Sequence, residues 1–567
     1  MHMKKLTLAC LAATLGLSAC GGGGSEPAGS TVVSRDINAT DTRIACIDHN
    51  HNWRCDDGDL SQSVTSAGNT GLNPASDEFV LLERLDAARQ RTLLLLSERG
   101  SGTVDGISTL KAMLGERYDT FSPSESFNSS DLEALFERAL QLYPHALTAL
   151  ATASEAVLQQ STVNATLPEV TPTLGEPELV SNWAAESDND NRQLTAYGST
   201  VLSNTESNRL YLFDAAAASV AASEIDLLPA VELALNIPSE GTLSSWATQT
   251  SQKLIMQKLV EPALRMMASA LSIVIDTASA ASSITGQPSG EAPVIFEAGT
   301  GITSLQLVNN ASEAFILVNT ADDNFAGNDC ATKGNEGLYK VALDHDGGYR
   351  LLADSTSCIY SGFSLLAADR NGAHVVAWDG TQQKLWLLDG SLKRQAQIAT
   401  GVSQAQALAI SPGGQFAAIA AYGQLAIVDL LQGKTIVNLA GDWANATQVN
   451  FAAGLQQIMV SSGNSLHTIT LDARMQRLDS RITAFDSDIL ALATADDGES
   501  AAVATAKNLA WINSHSGETL SSQSTPARFT PQKIAITNTQ LLMVGQQHSD
   551  DTIALMRLAL SLPEWPH

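Results

Sequence analysis

Short apolar runs alternate with polar turns on a fixed period through the C-terminal two-thirds of the chain. One strand-like element recurs at Leu338–Ala342, Leu385–Asp389, Leu425–Asp429, Leu466–Thr470, Leu509–Asn513 and Ile553–Arg557, with an earlier copy at Leu210–Asp214. From Leu338 onward the starts lie 40 to 47 residues apart. Two further apolar elements precede a copy, as in Ala407–Ser411 with Phe416–Tyr422, or Leu490–Thr494 with Ala501–Thr505. Turns such as Pro412-Gly413-Gly414 and Asp496-Asp497-Gly498 bound them. One such sheet cannot bury both faces alone, so a unit of several short strands every 40–45 residues or so predicts sheets packed around an axis.

The N-terminal part follows another pattern. Phe79–Leu85 and Thr92–Leu96 flank polar Asp86–Gln90 and favour a hairpin over a single helix. Ser130-Asp131-Leu132-Glu133 has the form of a capping box, with Leu132, Leu135, Phe136, Ala139, Leu140 and Tyr143 on one helical face. Pro144 can open a second helix running to about Gln160. Thr162–Pro177, with Pro168, Pro172 and Pro177, reads as a linker. Residues 238–292 predict a helical insertion interrupted at Pro262; its apolar stretch Ala263–Ile275 contains Arg265 and is too short for a membrane span.

The recurring strand, its Pro-Gly-Gly or Asp-Asp-Gly turn and the Asp-terminated strand resemble YVTN-type and quinoprotein-like β-propellers. The resemblance covers about residues 178–562. It implies a mainly β fold of about seven blades, six or eight being the neighbouring counts. The blades are expected at 178–237, 293–355, 357–400, 402–440, 441–483, 484–524 and 526–562, after a small mixed α/β region at 31–176. Trp-Asp occurs among the blades only as Trp378-Asp379, without the Gly-His element of tryptophan–aspartate repeats.

Charge and address narrow the function. The 32 Lys and Arg face 60 Asp and Glu, a formal net charge of −28. That excludes nucleic acid as a backbone-bound partner and attachment to anionic lipid by charge. Lys4 and Lys5 precede Leu6–Ala19, an uncharged run of 14 residues that is too short to span a bilayer. Leu17-Ser18-Ala19-Cys20 resembles the lipobox of bacterial lipoproteins. The resemblance implies that residues 1–19 are removed, that Cys20 is acylated and that residues 20–30 tether the body to a membrane. Gly21, in place of the Asp that often retains such proteins at the inner membrane, favours the outer membrane, facing the periplasm or the cell surface.

Four cysteines remain after Cys10 and Cys20: Cys46, Cys55, Cys330 and Cys358. Export makes disulfides the expected state, and spacing favours Cys46–Cys55 and Cys330–Cys358 among three possible pairings. The first pair brackets the sharpest motif. Asp48, Asn50, Asn52, Asp56 and Asp59 fall at loop positions 1, 3, 5, 9 and 12, and Arg54 can offer its carbonyl at position 7. A hard cation needs six to eight oxygens around a tight loop. The motif resembles EF-hand-like and dockerin-like calcium loops, which implies Ca2+ as the cofactor. Trp53 stands where glycine usually makes the turn, and Asp59 replaces a bidentate Glu. His49 and His51 alternate with the ligands and read as surface residues. Asp188–Asn191 and the Asp322, Asn324, Asn328, Asp329 group read as solvated turns, and Asp214, Asp389 and Asp429 as turn residues at strand ends.

No Gly-x-Ser-x-Gly, His-Glu-x-x-His, Walker loop or dinucleotide fingerprint occurs. The expectation is a non-enzymatic, lipid-anchored envelope protein with a protein-interaction platform. In plan it resembles the propeller lipoproteins of the outer-membrane barrel-assembly machine. Its partner would be an envelope protein of an assembly, attachment or hydrophobic-substrate uptake system. The alternative is a propeller hydrolase of lactonase type, although the repeats place no matched His, Glu and Arg set at a central channel.

Overall fold

The computed structural model describes residues 42–214 and 362–561 apart from short gaps, and strands within 31–32, 223–224, 300–320, 337–343 and 349–351. Cys20, the tether, the 238–292 insertion, Cys330, Cys358, Asp188–Asn191 and the Asp322–Asp329 group lie outside the described residues.

The N-terminal domain is a four-stranded antiparallel sheet with helices packed on it. Its strands run Leu60–Ser63, Thr42–Ile47, Val80–Leu85 and Arg91–Leu96 in spatial order. The expected hairpin is therefore present, with Leu82 opposite Leu95. Leu94, Leu110, Phe136, Leu150 and Val157 share one core between sheet and helices. The helix expected to start at Ser130 is capped earlier, by Asn128, whose side chain accepts from the Asp131 N–H, and it runs Ser129–Leu142. A capping box does occur, at Asp105 and Ser108, before helix Gly106–Leu114. His145 caps the helix after Pro144, Ala146–Gln160, without a side-chain hydrogen bond.

The rest of the described chain is antiparallel sheet. Six four-stranded sheets follow one another at 193–224, 300–351, 363–398, 405–440, 446–484 and 489–524, each with its strands in chain order. A seventh, of five strands, is built from Phe529–Ile536, Gln540–Gln547 and Thr552–Ser561, the last paired with both Glu178–Ala184 and Thr173–Leu174. The strand at 178–184, expected to open the first unit, instead completes the last, with Trp183 opposite Ile553 and Glu178 opposite Arg557. The pairing covers an edge that would otherwise expose a row of N–H and C=O groups. The repeat thus begins at Gln193–Tyr197, one strand later than its sequence period suggests.

Middle strands are buried on both faces, as in Phe416–Ala421 and Ser500–Thr505, which is why they read as unbroken apolar runs. Fourth strands such as Thr519–Ser524 are mostly open to solvent and polar. Six of the seven leading strands carry a bulge, for example between Phe363 and Leu365 and between Ile489 and Ala491. Each leading strand packs on the next in sequence, and Phe529–Ile536 packs on Gln193–Tyr197, so the contacts return to their start. Apolar clusters fill the seams, including the one between the last and first sheets, where Ala535, Leu542 and Val544 meet Leu194 and Val201.

Candidate functional site

The loop from Asp48 to Asp59 leaves strand Thr42–Ile47 and is tied back to that strand from within by the Cys46–Cys55 disulfide. Asp48, Asn50, Asn52, Arg54, Asp56 and Asp59 are all buried. Trp53 adopts a left-handed φ of 65°, the conformation for which glycine is usual at this position. Its ring is held 5.5 Å from Phe79, which helps to fix a non-glycine residue there.

Side-chain oxygens fold the loop inward. Asp48 accepts from the N–H groups of Asn52 and Trp53 at 3.2 and 3.0 Å. Asn50 and Asn52 accept from the N–H groups of Asn52 and Arg54. Asp59 accepts from Asp56 and His49 at 2.8 and 3.1 Å. The amides of Asn50 and Asn52 donate to Asp56 Oδ2. Burial, reinforced by the Asp56 charge, pushes Asp48 up to about 7 and Asp59 up to about 8. Three crowded carboxylates and two amide oxygens are donors suited to a hard cation, which would relieve that repulsion. Among the described residues no group of three or more His, Cys, Asp or Glu side chains converges closely enough to hold a metal as placed. Here Asp56 is turned to the two Asn amides. His49 is exposed and meets Glu78 at 2.8 Å. Burial and the Arg370 charge lower His51 below its usual range.

The far side of the loop is an interface. Asp57 accepts from Ser411 Oγ at 2.5 Å and from the N–H groups of Gly413 and Gln415 at 2.7 and 2.8 Å. The Asn50 carbonyl accepts from Tyr197 Oη at 2.8 Å and from Arg370 Nε at 3.0 Å. Arg370 lies 3.9 Å over the Tyr197 ring and pairs with Asp496 at 2.5 Å. Tyr197, Arg370, Ser411–Gln415 and Asp496 stand at the turn after the leading strand of the first, third, fourth and sixth sheets. The loop therefore touches matching ends of three sheets directly, and Asp496 of the sixth holds the Arg370 that it contacts.

Around it, buried charges join the two parts. Arg91 bridges Glu83 and Glu499, each at 2.7 Å, and donates to the Trp53 carbonyl. The Arg54 side chain lies 3.5 Å from Glu83 and 3.8 Å from Glu499, a role additional to the expected carbonyl ligand. His145 Nδ1 lies 3.4 Å from Asp497, and its Nε2 lies 3.4 Å from Ser500 Oγ. That connectivity mimics a nucleophile, base and acid. However, Ser500 and His145 are fully buried, so no substrate reaches them and the trio serves as an interdomain clamp. Of the strand-end aspartates, Asp389 and Asp429 are turn residues as expected: Asp389 accepts from Ser391 and Lys393, and Asp429 from Gln432.

Sequence reasoning found the loop and missed its outer contacts. Asp57 and Gly413 are 356 residues apart, and no local pattern links them. The visible signals were the Pro-Gly-Gly and Asp-Asp-Gly turns, which read only as turns.

No protein-family model and no curated protein matches the chain. Solved structures similar to it include hydrazine synthase of Kuenenia stuttgartiensis, at 16% identity and a TM-score of 0.29, covering 33% of this chain and 56% of that one. Raptor of Chaetomium thermophilum is similar at 12% identity and a TM-score of 0.40, covering 69% of this chain and 30% of that one. This chain thus spans about half or less of either structure's length, and at these scores neither carries an argument about activity. Among the described residues no helix is long and apolar enough to cross a membrane.

Proposed function

We propose that the protein is a lipid-anchored envelope protein whose seven sheets form the blades of a propeller and serve as a protein-interaction platform. The observation that carries this reading is the lodging of the 48–59 loop against matching ends of the first, third and fourth sheets, with Arg54 reaching Glu499 of the sixth. A ring with one end occupied by its own N-terminal domain presents the other end and its rim outward. The cyclic order of leading-strand contacts and the closure of the last sheet by Glu178–Ala184 support the ring. The Leu-Ser-Ala-Cys20 sequence and the glycine-rich tether support the anchor. An outer-membrane protein is the partner this address favours.

In this reading Asp48, Asn50, Asn52, Asp56 and Asp59, with the Arg54 carbonyl, would hold Ca2+. The ion would supply positive charge to crowded carboxylates and rigidity to the loop, and no chemistry is routed through it. The lactonase alternative has less support, because the seven leading strands together carry one charged side chain, Lys533. Mass spectrometry of protein extracted from membranes tests the anchor. A mature chain beginning at acylated Cys20 is expected; an unacylated chain with a different start would refute it.

A further inference from the structure

The loop that would hold calcium is also the one that holds the two domains together, through Asp57 and through the outward-facing groups of Asn50 and Arg54. Asp57 sits between ligand positions 56 and 59 and accepts three hydrogen bonds from the Ser411–Gln415 turn. Asn50 offers its side-chain oxygen inward, while its main-chain carbonyl accepts from Tyr197 of the first sheet and Arg370 of the third. Arg54 follows ligand Asn52 by two residues and reaches Glu499 of the sixth sheet. Because Asn50 and Arg54 serve both sets of contacts and Asp57 lies directly beside Asp56, one set cannot change without shifting the other. We infer that calcium binding to the 48–59 loop and docking of the N-terminal domain on the sheets are a single linked equilibrium.

This inference rests on the calcium reading and goes beyond it. By linkage, a contact that strengthens metal binding by some factor is itself strengthened by that factor when the metal binds. Tyr197 and Arg370 lie about 150 and 320 residues from Asn50 in the chain, so they reach the loop only in the docked state. They orient the residue at the third ligand position without being ligands. Their effect on metal affinity is therefore a direct reading of the coupling. The same contacts make the loop a calcium-dependent cap on one end of the ring.

The test is isothermal titration of the full chain with calcium, beside Tyr197→Phe and Asp57→Asn. Each variant removes a docking contact and no metal donor. Hydrogen exchange is followed at residues 411–415. The wild-type chain binds one calcium, each variant weakens binding about 5-fold or more, and calcium slows exchange at Gly413 and Gln415. If calcium binds with equal affinity to all three and exchange at 411–415 ignores it, the linkage is wrong while the metal site stands. If the wild-type chain binds no calcium, both fall. Circular dichroism melts confirm that the variants are folded before titration.

Discussion

His145, at the start of an N-terminal helix, sets its Nδ1 3.4 Å from the carboxylate of Asp497 in the sixth sheet, and its ring stacks on Trp511 with centroids 5.7 Å apart. Burial disfavours the imidazolium, but the charges of Asp497, Glu499 and Asp496 outweigh it and raise His145 above its ordinary 6.5. Asp497 is likewise buried, yet His145 and Arg91 bring it down to about 2. The His145 contribution is fully present below pH 6.5 and is lost as pH rises through the raised folded value. The Asp497 contribution is present above its ordinary 3.8 and is lost toward pH 2. Melting curves at pH 5.5 and 8.5 should therefore show a larger gap between wild type and His145→Gln at the lower pH. A gap independent of pH would remove the ion pair from the account.

Calcium removal should loosen the N-terminal domain. At free calcium 100 times the dissociation constant, binding contributes about 2.7 kcal/mol to the bound state. Chelation is thus expected to lower the melting temperature of the wild-type protein, and Asp48→Ala to abolish that response. An unchanged melt on chelation would argue against the site.

Gly414 has a φ of +78°, and a Cβ there would meet His374 Nδ1 at 2.4 Å and Asp369 Oδ2 at 2.6 Å. These two side chains form their own pair at 2.8 Å. Gly414→Ala therefore adds backbone strain and splits that pair, beside the turn that Asp57 grips. A loss of about 2–3 kcal/mol in denaturant unfolding is expected. A change under 0.5 kcal/mol, the ordinary range for a neutral surface site, would contradict this packing.

Lys533 lies half-buried on a leading strand, and burial lowers its pKa below the ordinary lysine value. By strand alternation it shares a face with Ala535, which packs in the seam between the last and first sheets. The folded state binds the proton less readily than the unfolded chain, so the cost of Lys533 is largest at lower pH and fades as pH rises. Lys533→Met should stabilise the protein by roughly 1 kcal/mol at pH 7, measured by urea unfolding. Destabilisation would indicate an anionic partner for the ammonium.

Much of this fold was legible because each unit repeats the same physics. A strand buried on both faces must read as an apolar run, and Phe416–Ala421 does. The loop was legible because Cys46 and Cys55 lie close in sequence and pair, and because Asp48, Asn50, Asn52, Asp56 and Asp59 fall at a spacing like that of calcium loops. Glu178–Ala184 was misassigned because a closing strand pairs with the far end of the chain, which periodicity does not record. The helix start expected at Ser130 lies earlier because Asn128, two residues before it, accepts from the Asp131 N–H and makes the cap. The docking contacts of Asp57, Tyr197 and Arg370 were not legible at all, since each joins residues more than 140 positions apart.

The account stands on an anchored ring that presents a docking surface. The most direct test is purification of the full chain from detergent-solubilised envelopes, with light scattering of the eluted species and a lactone panel assayed on the soluble body. The account predicts a stoichiometric complex with an envelope protein and no turnover. A solitary monomer whose body hydrolyses lactones would contradict it.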